Sequence, residues 1–200
     1  MPRNDALLQG LLSRRSLGGK HLVEPGPDDA QLQLLAQAAL RAPDHALLTP
    51  YRLRVVRGAA REAMARLFER AALDAGKDAA GAALDAERAR AAPVTVVLVA
   101  RIDQGHPLVP AHEQWIAVGA ALANLLNAAH ALGFAGKMLS GAKVRHPALV
   151  QAFCAPGETL VGWVALGTDA RAASGHGARS AGERGTRATA AELLADWTGA

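Results

Sequence analysis

Two clusters of polar side chains in this sequence have the residue types and spacing to do chemistry. The first is Arg14-Arg15-Ser16, followed closely by Gly18 and Gly19. Two guanidiniums and a hydroxyl can converge on a phosphate, and glycines let the backbone come close to it. The same arginines also suit the end of a helix, where cations meet the negative pole of the macrodipole. The second cluster is Arg41-Ala42-Pro43-Asp44-His45, which leads through Pro50-Tyr51 into Arg52-Leu53-Arg54-Val55-Val56. Pro43 restrains the residue before it and Asp44 supplies a turn, so Arg41, Asp44 and His45 join a helix to a strand. Polar groups on a loop held between two rigid elements are placed for function. A turn capped by its Asp, with a solvated His, accounts for the segment equally well.

The elements that must position these clusters can be read from periodicity. Leu7, Leu8, Leu11 and Leu12 recur at helical spacing behind Asn4 and Asp5, which can cap a first helix ending at the Arg-Arg-Ser triplet. Asp28 and Gln31 form a capping-box pattern for a second helix that carries Leu32, Leu35 and Ala39 inward and runs into the Arg41 turn. Beyond Val56, Gly58 opens a helical region with Met64, Leu67, Phe68 and Ala71 on one face, and Gly76 breaks it. Residues 78–92 read as a helix with a thin apolar stripe, expected on the surface. Residues 95–102 are a continuous apolar, β-branched run, expected to be the central strand and buried on both faces.

The helix over 113–132 is the most apolar in the chain. Trp115, Val118, Ala121, Leu122, Leu125, Leu126 and Ala129 cover much of its circumference, which implies burial in a core or against a partner subunit, and Gly133 ends it. A short extended run over 134–139, a Ser140-Gly141 turn, a helix over 147–153 with proline first, and a strand over 159–167 follow. Gly, Ala, Ser and Arg dominate 169–187, the composition of a flexible or partner-wrapped segment, and 190–197 can form a terminal helix.

Composition narrows the classes. The 200 residues are 50% apolar, enough for one domain with a substantial core, and Ala outweighs aromatics, which favours close-packed helices. The net charge of +4 is scattered among carboxylates, with no basic stripe interleaved with aromatics, so no nucleic-acid partner is expected; an anionic small ligand fits. The single Cys154 excludes an internal disulfide and a cysteine metal cluster and suits a reducing compartment. With no signal-length or bilayer-length apolar run, a cytoplasmic chain without a membrane partner is the expectation.

Several motifs fail. Gly133 to Met138 has glycines too close together for a phosphate loop, and Met138 replaces the metal-binding hydroxyl. No dinucleotide glycine fingerprint follows a strand, and no Gly-x-Ser-x-Gly elbow is present. His112-Glu113 is followed by Ile116 where a zinc-protease helix needs a second histidine. His106, His112, His130, His146 and His176 have no metal-ligand spacing, so no metal is expected.

Taken together, Arg14-Arg15-Ser16, Arg41 to His45, and Pro50-Tyr51 leading into a strand resemble the nitroreductase family of flavoproteins, in particular its small bacterial YdjA-like subgroup. The likeness continues through Val109-Pro110, Glu113-Gln114, the long helix to Gly133-Phe134, Ser140-Gly141, Val161-Gly162-Trp163 and Gly167-Thr168. The resemblance implies an α+β fold with a central mixed or antiparallel sheet flanked by helices. It also implies an intertwined homodimer with FMN at the subunit interface, and NAD(P)H as co-substrate. On this reading residues 1–168 form the FMN-binding domain, and 169–200 an extension that wraps the partner. By position, Arg14, Arg15 and Ser16 would hold the flavin phosphate and ribityl chain, and Arg41 and His45 would reach the flavin of the partner subunit. Met138, Leu139 and Ser140 would lie along the ring, and Ala128, Ala129, His130, Ala131, Leu132 and Gly133 would take the nicotinamide cofactor.

The implied activity is hydride transfer from a nicotinamide through FMN to a nitroaromatic, quinone or similar acceptor. The sequence also departs from the family pattern. Gly18 stands where a further basic residue is common, with Lys20 displaced; Thr49 replaces a usual Gln and Tyr51 a Trp. Leu139 falls where the subgroup has Arg, so a positive charge near the flavin is missing unless Lys137 or Arg41 supplies it. Arg171 is the candidate for a cation from the C-terminal segment. These departures motivate an alternative, a flavin-sequestering protein with little turnover.

Overall fold

The computed structural model describes residues 5–173 together with 193, 194 and 197. Asn4, the tail beyond Ala173 and the predicted helix over 190–197 lie outside the described residues, those three positions apart. The sheet is built from β1 (Leu22–Val23), β2 (Tyr51–Arg57), β3 (Val94–Ala100), β4 (Ala135–Leu139) and β5 (Thr159–Asp169). Every strand pairing is antiparallel, in the order β1-β5-β3-β2, with β4 also on β5. All seven residues of β3 are buried, as a β-branched run without polar alternation requires. The centre is shared, however. β5 carries β1, β3 and β4 and is the strand on which the sheet is assembled.

Helices cover both faces. The period of two along β3 sends Val94, Val96, Leu98 and Ala100 to one core and Val97 and Val99 to the other. On the first face lie α2 (Asp29–Ala39) and α5 (Ala111–Ala131), contributing Leu35, Ala39, Val118, Ala121, Leu125 and Ala129. On the second lie α3 (Ala60–Asp74) and α6 (Pro147–Phe153), with Met64, Ala71, Leu149 and Phe153 packed against Leu160 and Trp163. The α2 capping box forms as the sequence predicts: Gln31 N donates to Asp28 Oδ1 at 2.8 Å, and Asp28 N to Gln31 Oε1 at 2.9 Å. Gly133 ends α5 at φ 87°, with Phe134 N donating to Ala129 O.

Two expectations need correction. α4 (Ala79–Arg90) is not a surface helix: Ala82, Asp85, Ala86 and Ala89 are buried, and the small side chains let it pack closely along α3. Conversely α1 (Asp5–Ser13) buries none of its residues within the protomer; Leu7, Leu8, Leu11 and Leu12 stand exposed. Among the described residues, no helix is long and apolar enough to cross a membrane.

Candidate functional site

The Arg14–Ser16 segment leaves α1 and is zipped to the sheet. Ser16 bridges Gly136 of β4, and Leu17 N donates to Gly136 O at 3.0 Å. On its other side Gly136 lies tight against β5, where a Cβ would press into Leu166 and the Ala165 carbonyl. Arg15 donates to Asp169 Oδ2 at 3.1 Å, and Arg171 folds back on both oxygens of the same carboxylate. Burial raises the Asp169 pKa, but Arg171 and Arg15 outweigh it and hold the carboxyl below its ordinary value. One ionised carboxylate therefore orders two guanidiniums beside Arg14 and leaves the segment net positive, the charge an anion site needs.

The second cluster sits on a strained turn. Ala46, Leu47 and Thr49 have φ of 60°, 55° and 47°, a left-handed conformation that costs a non-glycine residue on the order of 1–2 kcal/mol. Three hydrogen bonds hold it: Thr49 N to Asp44 Oδ2 at 2.6 Å, Leu47 N to Asp44 O at 3.2 Å, and Arg101 Nη2 to Thr49 O at 3.1 Å. Asp44 thus does what a turn Asp does, but the backbone it imposes is one that occurs mostly at functional sites. Beneath, the buried Tyr51 hydroxyl donates to Ala39 O at 2.9 Å; burial first and the Asp44 charge second push its pKa up, keeping it a donor. Arg41 and His45 are exposed, and His45 Nδ1 lies 2.8 Å from Glu113 Oε2.

The two clusters are far apart within one protomer. Glu113 lies in the first turn of α5, whereas Ser13, next to Arg14, places its Oγ 3.1 Å from His130 Nε2 in the last turn. Residues 113 and 130 are separated by about 26 Å along the helix axis at about 1.5 Å per residue. His45 is thus tied to one end of α5 and the segment beside Arg14 to the other.

A cavity of about 310 Å³ opens beside the segment after β4. Leu139 and Ser140 line it, and Ser140 Oγ donates to Val161 O at 3.1 Å. Met64, Phe68, Ala89 and Trp163 also line it, with the Phe68 and Trp163 rings meeting edge-on at 4.8 Å. Its charged lining is Asp85, Arg88 and Lys143, all missed by sequence reasoning. Their only sequence signal is an Asp on the helical stripe of Ala82, Ala86 and Ala89, where a buried carboxylate demands cations. Neither Lys137 nor Arg41 lines the cavity, so Lys143 and Arg88 supply the positive charge beside Leu139. Of the segment expected to take a nicotinamide, Ala129 belongs to the core, Ala128 and His130 are half-buried, and Ala131, Leu132 and Gly133 face outward.

Residues 11–168 match the family model described as the nitroreductase family. The chain belongs to the nitroreductase family. It is 37% identical over 164 residues to "Putative NAD(P)H nitroreductase YdjA" of Escherichia coli (strain K12), covering 80% of this chain and 87% of that protein. Among solved structures, this family member superposes on the nitroreductase-like family protein of Bacillus cereus with a TM-score of 0.77 at 18% identity, over 100% of both chains. It matches a mutant of the FMN and NADPH-dependent nitroreductase NfnB of Sphigopyxis sp. strain HMH with a TM-score of 0.71 at 20% identity, over 96% of this chain and 99% of that one. The antiparallel sheet clad by helices is thus the nitroreductase fold, α+β as the sequence implies.

Proposed function

We propose that this chain is an FMN-dependent NAD(P)H oxidoreductase that works as a homodimer. Bound FMN would supply two-electron transfer between a nicotinamide and a nitroaromatic, quinone or similar acceptor. The residues fit such a group at both ends. Arg14, Arg15 and Ser16, with Arg171 ordered on Asp169, offer charge-assisted donors to a phosphate. The cavity beside Leu139 and Ser140 is at the lower end of the range for small-molecule sites, roughly 300–1,000 Å³, and combines an apolar floor with cations at its edge. Met138 packs on the core behind them and fixes that strand. The outward residues Ala131, Leu132 and Gly133, with His130 held by Ser13, form the edge we assign to the nicotinamide cofactor.

The separation along α5 carries the dimeric reading. Arg41 and His45 contribute to a cofactor site only if it belongs to another copy, and α1 with Trp115 and Ile116 of α5 presents apolar side chains for that contact. In this arrangement Glu113 fixes the His45 imidazole and the strained turn fixes its backbone, so both arrive ordered at the partner's ring.

The test is direct. Purified protein is expected to be yellow or to take up added FMN, with one flavin per chain, and to bleach on anaerobic mixing with NADH or NADPH in a stopped-flow instrument. A colourless protein that takes up no FMN defeats the reading. A yellow protein that neither nicotinamide bleaches is instead the flavin-sequestering one, whose motive at Leu139 is weakened by Lys143 and Arg88 in the cavity.

A further inference from the structure

Asp85 is a buried carboxylate that holds more positive charge than its own neutralisation requires. Its side chain is 9% exposed, and its Oδ2 accepts from Lys143 Nζ at 2.6 Å and from Lys77 Nζ at 2.8 Å, while Arg88 Nη1 stands 3.8 Å from Oδ1. Three cations against one anion leave the group at +2 if all are ionised. Burial raises the Asp85 pKa, but Lys143 and Lys77 together more than offset it, so the carboxylate stays charged and keeps both ammoniums in place. A structural staple between α4 and the turn after β4 would need only one of them.

The three cations are not equivalent. Lys77 does not line the cavity, and Arg88 lines it with a side chain 66% exposed, where water screens its charge. Lys143 lines it with a side chain 25% exposed, on the same segment as Leu139 and Ser140. Charge on this side chain therefore acts on whatever occupies the cavity through a medium less polar than bulk water.

We propose, on the basis of the FMN reading above, that Lys143 is the cation facing the flavin ring in this chain and that Asp85 positions it, so that the pair sets the reduction potential of the bound flavin. Taking up two electrons and one proton, as delivered by one hydride, adds one negative charge to the ring. A fixed ammonium beside it favours the reduced form over the oxidised one. Lys143 thus supplies on the turn the charge that Leu139 lacks on the strand.

The experiment uses the FMN-loaded protein, its midpoint potential from reductive titration against a reference dye, and the dissociation constant of the flavin's sulfite adduct, a probe that gains stability from positive charge near the ring. Lys143→Met is expected to weaken stabilisation of the reduced form at least tenfold, a fall of about 30 mV for a two-electron couple, and to weaken sulfite binding by a similar factor. Lys143→Arg is expected to restore most of both. In an Asp85→Asn background Lys143→Met is expected to lower the potential by less than it does in the wild type, because the ammonium is no longer held at the cavity; an equal fall would show that Asp85 does not position Lys143. If Lys143→Met does not yield folded protein, Lys143→Gln, which keeps the stem and a hydrogen bond, must show the same fall. Wild-type potential and sulfite affinity in a flavin-loaded Lys143→Met or Lys143→Gln overturns the proposal while leaving the FMN reading intact, as does a fall seen only in Lys137→Met. Wild-type protein that takes up no FMN overturns both.

Discussion

Asp169 closes the last strand of the sheet, and its carboxylate accepts hydrogen bonds from two arginines. Arg15 and Arg171 share its carboxylate, and the order this imposes is what distinguishes a phosphate grip from a pair of solvated cations. A hydrogen bond to a charged group is worth roughly 1.5–3 kcal/mol, so Arg14→Ala or Arg15→Ala is expected to weaken FMN binding by about 10- to 100-fold in a fluorescence titration; normal flavin content would show that the phosphate lies elsewhere. A second carboxylate reports on stability rather than binding. Glu158 takes both a bidentate contact from Arg52 and the Ala155 amide, and Arg52 is the larger cause of its pKa falling from 4.5 to about 2. A folded-state value below the unfolded one means that the stabilisation is complete above about pH 4.5 and is lost as pH falls toward 2. Wild-type melting temperature should therefore drop more steeply over that window than that of Glu158→Gln, and parallel curves would contradict the assignment. At this scale the sequence was informative where neighbours are sequential, as in Arg14-Arg15-Ser16. It was silent on Asp169, Asp85 and Lys143, whose partners come from remote elements.

Elements were legible wherever one period dominated. The capping box at Asp28, the proline-led α6 and the fully buried β3 follow from local chemistry alone. α4 was misplaced because an alanine stripe is weak as a hydrophobic signal yet strong as a packing one: it buries little area but permits close approach to α3. α1 shows the opposite case, an apolar face at full helical spacing that stands exposed in the protomer. The same reasoning isolates Gly162. It sits in β5 at φ 153°, opposite the register shift of β3 between Leu98 and Val99, and a Cβ there would collide with the Leu139 carbonyl and the Met138 side chain. Gly162→Ala must push β4 away from β5 just where Leu139 and Ser140 line the cavity. Overpacking and the backbone penalty together predict a loss of about 3 kcal/mol in denaturant unfolding. Weaker FMN binding should accompany it, and unchanged stability would mean that the strand yields more easily than its pairing suggests.

At the scale of the whole molecule, the sequence placed both halves of the candidate site but could not show that α5 keeps them apart, because that separation depends on which turn of the helix each half is tied to. His45 is joined to Glu113 at one end and Ser13 to His130 at the other. Two copies of a long helix packed antiparallel about a two-fold axis bring the first turn of one beside the last turn of the other, so an isologous contact completes two sites at once. The surface available for such a contact includes Leu8 and Leu12 of α1 and Ile116 of α5, all exposed in the single chain. Ile116→Glu should therefore shift the protein toward a monomer in sedimentation or light scattering, because a charge in an interface core is costly to desolvate. The monomer keeps Arg14, Arg15 and Ser16 but loses the partner's Arg41 and His45. It should release FMN as it dissociates, and raising protein concentration should restore flavin and dimer along one curve. A stable monomer that retains FMN with wild-type affinity would place the whole site within one chain, and the ends of α5 would then have no bearing on function.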